Sequence, residues 1–271
     1  MPDVDWIRFI GHATVELRLS GITLLTDPFL RDRVGPLVRR PPSVDAASLL
    51  PDAVLISHLD RDHMDLPSLR RLAREPSLVV PRGGEAFARS HGFEDVTELA
   101  VGETTEVGEV QVTAVPAVHD GRRAPYGPTA ETVGYLLTGS SRIYFAGDTD
   151  LFDGMSELSP GLDLALLPIA GWGPTLGEGH LDPERAAQAL QLLRPRLAVP
   201  IHWGTLHPIG LAHLMSHQLT DSPHEFARFA ALLAPEVQVR VLAPGESLSL
   251  GESPASGDDR AGGRRQSRAD G

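Results

Sequence analysis

Cysteine is absent from the 271-residue chain, which excludes disulfides and thiolate metal ligands and leaves histidine, aspartate and glutamate as the strong ligand types. Any apolar run of membrane-spanning length is also missing, although hydrophobic residues make up 41% of the chain, an ordinary share for a globular protein. Basic charge is in short supply. Against 36 Asp and Glu stand only 24 Lys and Arg, and the formal net charge of −12 argues against a nucleic-acid surface, because phosphate binding draws its affinity from clustered cations. No G-x-S-x-G elbow occurs, so a serine nucleophile of that type is not expected. The opening residues MPDVDWIRF hold no basic stretch leading into an apolar segment, so neither a secretory signal nor a transit peptide is expected, and the expected location is cytoplasmic.

What is present is a series of short apolar runs with strand character, at 6–10, 15–19, 22–26, 53–56, 78–80, 110–115, 133–137, 142–146, 164–167, 197–201 and 237–242. Helical patterns are fewer, at 66–74, 84–90, 183–193 and 223–233. The third opens with Asp182 as an N-cap and Pro183 at the first helical position. Ser20-Gly21 between two strand runs suits a tight hairpin, so the sheets should be mixed. The expected fold is α/β, with two mixed sheets packed face to face and covered by helices. Residues 31–50, rich in proline and charge, read as a long loop. Residues 1–250 read as one domain. Residues 251–271 contain no large apolar side chain and read as a disordered tail.

The chemistry concentrates where apolar runs end. Directly after the run at 53–56 comes SHLDRDHMD, which places His58, Asp60, Asp62 and His63 within six residues, with Asp65 placed to cap the following helix. A charged turn would also explain that window taken alone. Three distant segments repeat the arrangement: His119 follows VTAVPAV, Asp148 follows IYFAG, and His202 follows LAVPI. Singly each histidine reads as a satisfied strand-end residue; together they read as a nitrogen-and-oxygen metal site. Asp27 in LLTDPF ends another run, where it serves a turn and could accept a hydrogen bond from a ligand histidine. His180, just before the Asp182 cap, projects either into solvent or toward the pocket as a proton donor or anion ligand. His12 in GHAT is similarly open. Trp203 reads as core, GWGP at 171–174 as a wall of the pocket, and His207, His213, His217 and His224 as loop or helix-surface histidines.

SHLDRDH, His119, GDTD and IHWGT, in this order, resemble the metallo-β-lactamase superfamily and its His-x-His-x-Asp-His ligand motif. GHAT, LLTDP and IHWGT are similar to the branch containing L-ascorbate-6-phosphate lactonase and N-acyl-phosphatidylethanolamine phospholipase D, over roughly residues 5–250. The resemblance implies a four-layer αββα sandwich with two divalent metal ions, zinc first and manganese or iron(II) as alternatives. Carried over by position, one ion takes His58, Asp60 and His119, the other takes Asp62, His63 and His202, and Asp148 bridges them. Asp60 departs from the motif, which has histidine there. Asp62, Asp148 and His180 are the candidate catalytic residues, and the implied nucleophile is a metal-bridged hydroxide attacking a small ester, lactone or phosphodiester. The competing readings are a nuclease of the same superfamily and a non-catalytic metal-stabilised scaffold. A small-molecule substrate is expected, with no nucleic-acid partner and no membrane span.

Overall fold

The apolar runs form the strands of two mixed sheets in the computed structural model, which describes residues 4–40, 43–123, 127–171, 177–215 and 217–251. In the first sheet the strand order is Ser247–Ser249, Trp6–Gly11, Thr14–Leu19, Ile22–Thr26, Ala53–Leu55, Ser77–Pro81 and Val96–Leu99. Its first four strands pair antiparallel and the rest parallel. The hairpin at Ser20-Gly21 has positive φ at both residues (50° and 78°), as a type I′ turn requires. The second sheet runs Gln238–Val239, Leu197–Ile201, Leu164–Pro168, Arg142–Phe145, Val133–Thr138, Val110–Pro116 and Thr104–Val107, parallel up to Arg142–Phe145 and antiparallel beyond.

Side-chain alternation explains the layers. Val15, Leu17 and Leu19 of one sheet meet Val112, Tyr135, Phe145 and Leu166 of the other in the central core. The intervening residues are apolar too: Tyr144, Ala165, Leu167 and Ala198 pack outward against helices Pro183–Leu193 and Ser222–Leu233. The outer face of the first sheet is covered by the short helices Leu66–Leu69 and Glu85–Ser90 through Leu66, Leu69 and Ala88. Strands buried on both faces read as continuous apolar runs, which is why they were visible in the sequence. The four-layer expectation therefore holds.

Several boundaries differ. The helix expected at 66–74 stops at Leu69 and continues as turns, with Arg71 and Leu72 donating to carbonyls only three residues back. The strand expected at 237–242 contracts to Gln238–Val239. The loop at 31–50 contains two short strands, Arg33–Val34 and Leu37–Arg39, which join Leu206–Pro208 in a third small sheet. Strands of two or three residues carry too little periodicity to be read before their partners are known. Most of the expected tail, residues 252–271, lies outside the described residues.

One contact ties the two large sheets beside the end of strand Ala53–Leu55: the buried Tyr135 hydroxyl donates to the carbonyl of Ile56 at 2.8 Å. Removing it strands a buried acceptor. Tyr135→Phe is expected to destabilise the protein by about 1–2 kcal/mol, read as a lower urea midpoint at unchanged m-value; an unchanged midpoint would show that the carbonyl has another donor.

Candidate metal centre

The carboxyl ends of parallel strands gather at one edge of the sandwich, where open α/β sheets bind their ligands. Asp27 follows strand Ile22–Thr26, His58 follows Ala53–Leu55, Asp148 follows Arg142–Phe145 and His202 follows Leu197–Ile201. His119 arrives from the end of Val110–Pro116, and His12 sits in the turn between the first two strands of the chain. Ligand atoms of His58, His119 and Asp148 lie within 4.8 Å of one another, as do those of His12, Asp62, His63 and His202. The structure thus brings together six of the seven metal-site residues singled out in the sequence, His58, Asp62, His63, His119, Asp148 and His202, while Asp60 is in none of these groups. A third such group, Asp27 with His58 and His63, has a different meaning, because the Asp27 carboxylate is already occupied by protein donors.

Four of these imidazoles are anchored through Nδ1. His63 Nδ1 donates to Asp27 Oδ2 at 2.7 Å, His202 Nδ1 to the Ala170 carbonyl at 2.7 Å, and His119 Nδ1 to the Gly179 carbonyl at 3.2 Å. For His58 the acceptor is Ser57 Oγ at 2.9 Å, whose own proton goes to Asp27 Oδ2 at 2.5 Å. Fixing Nδ1 as the donor turns Nε2 toward the common space. There, His63 Nε2 and His202 Nε2 approach to 3.1 Å, and Asp148 Oδ2 lies 3.2 and 3.4 Å from them. Two buried atoms at this point have no partner, His58 Nε2 and Asp148 Oδ1. Two buried lone pairs without a donor, one on an imidazole nitrogen and one on a carboxylate oxygen, fit a cation better than a packed core.

Electrostatics agree. Burial pushes His58 well below the ordinary imidazole range and His202 down to about 3, so both stay neutral. Burial opposes charge on His63 as well, but Asp148, Asp27 and Asp62 outweigh it and hold that imidazole well above its usual value. Asp62 and Asp148 are held low by the facing histidines in spite of burial. The cluster therefore attracts positive charge, and a divalent ion would replace the proton on His63.

Backbone strain marks the same residues. Five non-glycine residues among the described ones have positive φ, and three are His12 (57°), Asp27 (33°) and His202 (60°). The surroundings hold them: His12 N donates to Thr205 Oγ1 and His202 N to the His12 carbonyl, both at 2.7 Å. Gly147, one residue before Asp148, admits no side chain, since a Cβ would lie 2.5 Å from that of Ser57.

Asp60, about a third exposed, has Oδ2 at 3.7 Å from His58 Nε2 and 3.8 Å from His119 Nε2. His180 faces the cluster, with Nε2 3.5 Å from Asp148 Oδ2 and its ring edge-on to His119. His12 Nε2 lies 2.9 Å from Asp62 Oδ2, which settles its place beside the site. Trp203 is half-buried and packs against the core, stacked on Phe9 and donating to the Pro200 carbonyl. Among the described residues, no metal group includes His207, His213 or His224. Of the expected pocket wall at 171–174, residues 172–174 lie outside the described residues. Two participants were missed in the sequence: Ser57, whose hydroxyl relay needs the fold to be seen, and Arg123, a buried cation in a stretch whose paired arginines suggest a solvated loop.

Two mixed sheets with a histidine-aspartate cluster at their shared edge define the metallo-β-lactamase class of folds. A family model for a beta-lactamase superfamily domain matches residues 23–203, and the chain belongs to that superfamily, among its metal-dependent hydrolases. It is 33% identical over 247 residues to a UPF0173 metal-dependent hydrolase of Methanopyrus kandleri, covering 89% of this chain and 98% of that protein. It is 31% identical over 229 residues to N-acyl-phosphatidylethanolamine-hydrolyzing phospholipase D 1 of Caenorhabditis elegans, covering 74% of this chain and 64% of that one. A metallo hydrolase of Ignicoccus hospitalis shares the fold at a TM-score of 0.69 and 23% identity, with 90% of this chain and 97% of that chain covered. No helix among the described residues is long and apolar enough to cross a membrane.

Because Asp27 fixes His63 directly and His58 through Ser57, Asp27→Asn is expected to weaken divalent-ion binding by about 10- to 100-fold, the range in which partners of ligand histidines act. Competition against a chelator measures it, and an unchanged affinity would show that the imidazoles hold their orientation without the carboxylate.

Proposed function

We propose that the protein hydrolyses a small substrate, with a phosphodiester placed before an ester or lactone, using two divalent ions held by His58, Asp60, His119, Asp62, His63, His202 and Asp148. The carrying observation is the anchoring of four imidazoles through Nδ1, with Nε2 of each turned toward three carboxylates and two unpartnered buried atoms among them. His58, Asp60 and His119 form one side, and Asp62, His63 and His202 the other. Asp148 lies between them: its Oδ2 is near His63 and His202, and it also groups with His58 and His119. His12 is assigned to orienting Asp62. The phosphodiester comes first because the Caenorhabditis elegans relative is named a phospholipase D.

Divalent ions held by these residues would supply Lewis acidity, lowering the pKa of a bound water toward neutrality and polarising the bond under attack. The chain's own groups supply the rest. Asp148 and Asp62 are ionised and accept hydrogen bonds from the attacking water, fixing its direction. His180 is held above its usual pKa by its contact with Asp148 and donates a proton from Nε2 to the departing oxygen. Zinc is the first candidate metal. Asp60 provides a harder oxygen donor, which raises the standing of manganese and iron(II).

Asp148→Asn is expected to release at least one ion and to lower turnover of a model phosphodiester by on the order of 100- to 1,000-fold. Metal analysis and steady-state assays check this, and unchanged metal content with unchanged turnover would remove Asp148 from its bridging place. Asp60→His should retain two ions but shift the preference of the reconstituted protein from manganese or iron(II) toward zinc. The same order of preference in both proteins would make Asp60 a bystander.

A further inference from the structure

The segments that bring His119 and the 58–63 ligands together are held by one side chain that the metal reading leaves unused. Arg123 is buried, at 7% exposure, and the hydrogen bonds of its side chain among the described residues both go to backbone carbonyls. Its Nη1 donates to the carbonyl of Leu59 and, at 3.1 Å, to that of Met64. These carbonyls flank the stretch that carries Asp60, Asp62 and His63, and Leu59 directly follows His58. Inside the same stretch His63 N and Met64 N both donate to the Asp60 carbonyl, at 3.1 and 2.8 Å, so the loop is a single turn whose two ends meet one guanidinium nitrogen. The guanidinium lies over the Phe87 ring, 4.9 Å from its centroid, which fixes it from the side of helix Glu85–Ser90.

The backbone of Arg123 belongs to the other ligand segment. Four residues after His119, it sits in a self-bonded excursion: Arg123 N donates to the Pro128 carbonyl, Gly127 N to the Arg123 carbonyl and Ala130 N to the Gly121 carbonyl, with a bridge between Arg122 and Thr129. Thr132 Oγ1 reaches back to the carbonyls of Ala117 and His119, both at 3.3 Å. Moving Arg123 would therefore move the frame that carries His119, as well as the turn that carries the other ligands. A buried cation whose hydrogen bonds among the described residues go to backbone carbonyls is a costly device. It is retained here where two ligand-bearing loops must dock to within a ring contact, with the His58 and His119 centroids 4.7 Å apart.

We infer that Arg123 is a positioning residue that docks the His119 excursion onto the 58–64 turn and so sets the affinity of both ion sites at once. This rests on the metal reading above. Because Leu59 adjoins His58 and Asp60 while Met64 adjoins His63, losing the guanidinium should weaken both sites in step, unlike the loss of a single ligand.

The test uses the full-length protein, with zinc and manganese each titrated alone against a competing chelator, and thermal melts with and without the ion. Arg123→Met is expected to weaken binding of both ions by about 10- to 100-fold together, and to shrink the rise in melting temperature that the ion produces. Arg123→Lys keeps the charge but loses the planar fork, and its weakening should be intermediate. A purely structural role predicts another outcome: a lower melting temperature in the metal-free protein, with the ion-induced rise, affinity and stoichiometry all unchanged. That result, or loss confined to one ion, would overturn the proposal. Should Arg123→Met fail to fold, the lysine variant decides by the same measurements, wild-type affinity counting against the proposal. A wild-type protein that binds no divalent ion would overturn the metal reading itself, and this inference with it.

Discussion

The carboxylate of Asp27 is fully buried at the end of a strand, in a conformation with φ of 33°, and it accepts from Ser57 N, Ser57 Oγ and His63 Nδ1. A buried carboxyl group without such donors would be costly to keep in the core. With them it becomes a template. Its bond to His63 sets one ligand directly, and its bond to the Ser57 hydroxyl leaves that oxygen free to accept from His58, which sets a second. The strand that ends at Thr26 and the strand that ends at Leu55 are parallel neighbours, so the sheet brings donor and acceptor into register before any metal is present.

The remaining arrangement follows from charge. Three carboxylates, Asp60, Asp62 and Asp148, face the histidines in a space where burial makes His58 and His202 poor bases, and where neighbouring carboxylates draw His63 and His180 toward the charged form. Negative charge gathered in this way is unfavourable in a closed core. It becomes favourable when cations occupy the gap, which couples ion binding to the stability of the loops themselves. Arg123 supports the turn through backbone carbonyls, and among the described residues its hydrogen bonds take none of the proposed ligand carboxylates, although Asp60 and Asp62 feel its charge.

Much of this was legible in the sequence because each ligand stands at a sharp change of pattern. His58, Asp148 and His202 follow strands buried on both faces, whose apolar runs end where the chain leaves the sheet, and Asp27 follows LLT in the same way. Residues whose meaning depends on a partner far along the chain were less visible. His12 is readable only once Asp62 is seen at 2.9 Å, and Arg123 only once the carbonyls of Leu59 and Met64 are seen to converge. The short strand Leu206–Pro208 likewise exists by pairing with Leu37–Arg39, in a stretch whose prolines and charges suggest only a loop. Local periodicity reports burial; it does not report which backbone group a buried cation will find.

The hydroxyl groups near the centre bear on the source of the nucleophile. Ser57 Oγ donates to Asp27 and accepts from His58. Thr149 Oγ1 accepts from Val118 N and donates to the Asp150 carbonyl. Thr205 Oγ1 accepts from His12 N and donates to the Trp203 carbonyl. Each is thus fixed as a strut: the Thr149 and Thr205 protons go to backbone carbonyls, and the Ser57 proton goes to a carboxylate that also holds Ser57 N and His63 Nδ1, whereas an activated serine or threonine needs a base free to take that proton as the oxygen attacks. The chain has no cysteine to act instead. On the proposed hydrolase reading, a site of anchored imidazoles and carboxylates whose neighbouring hydroxyls are committed in this way would draw the attacking oxygen from solvent, and the hydrogen bonds that take those hydroxyls out of play are the ones that orient the residues proposed as ligands.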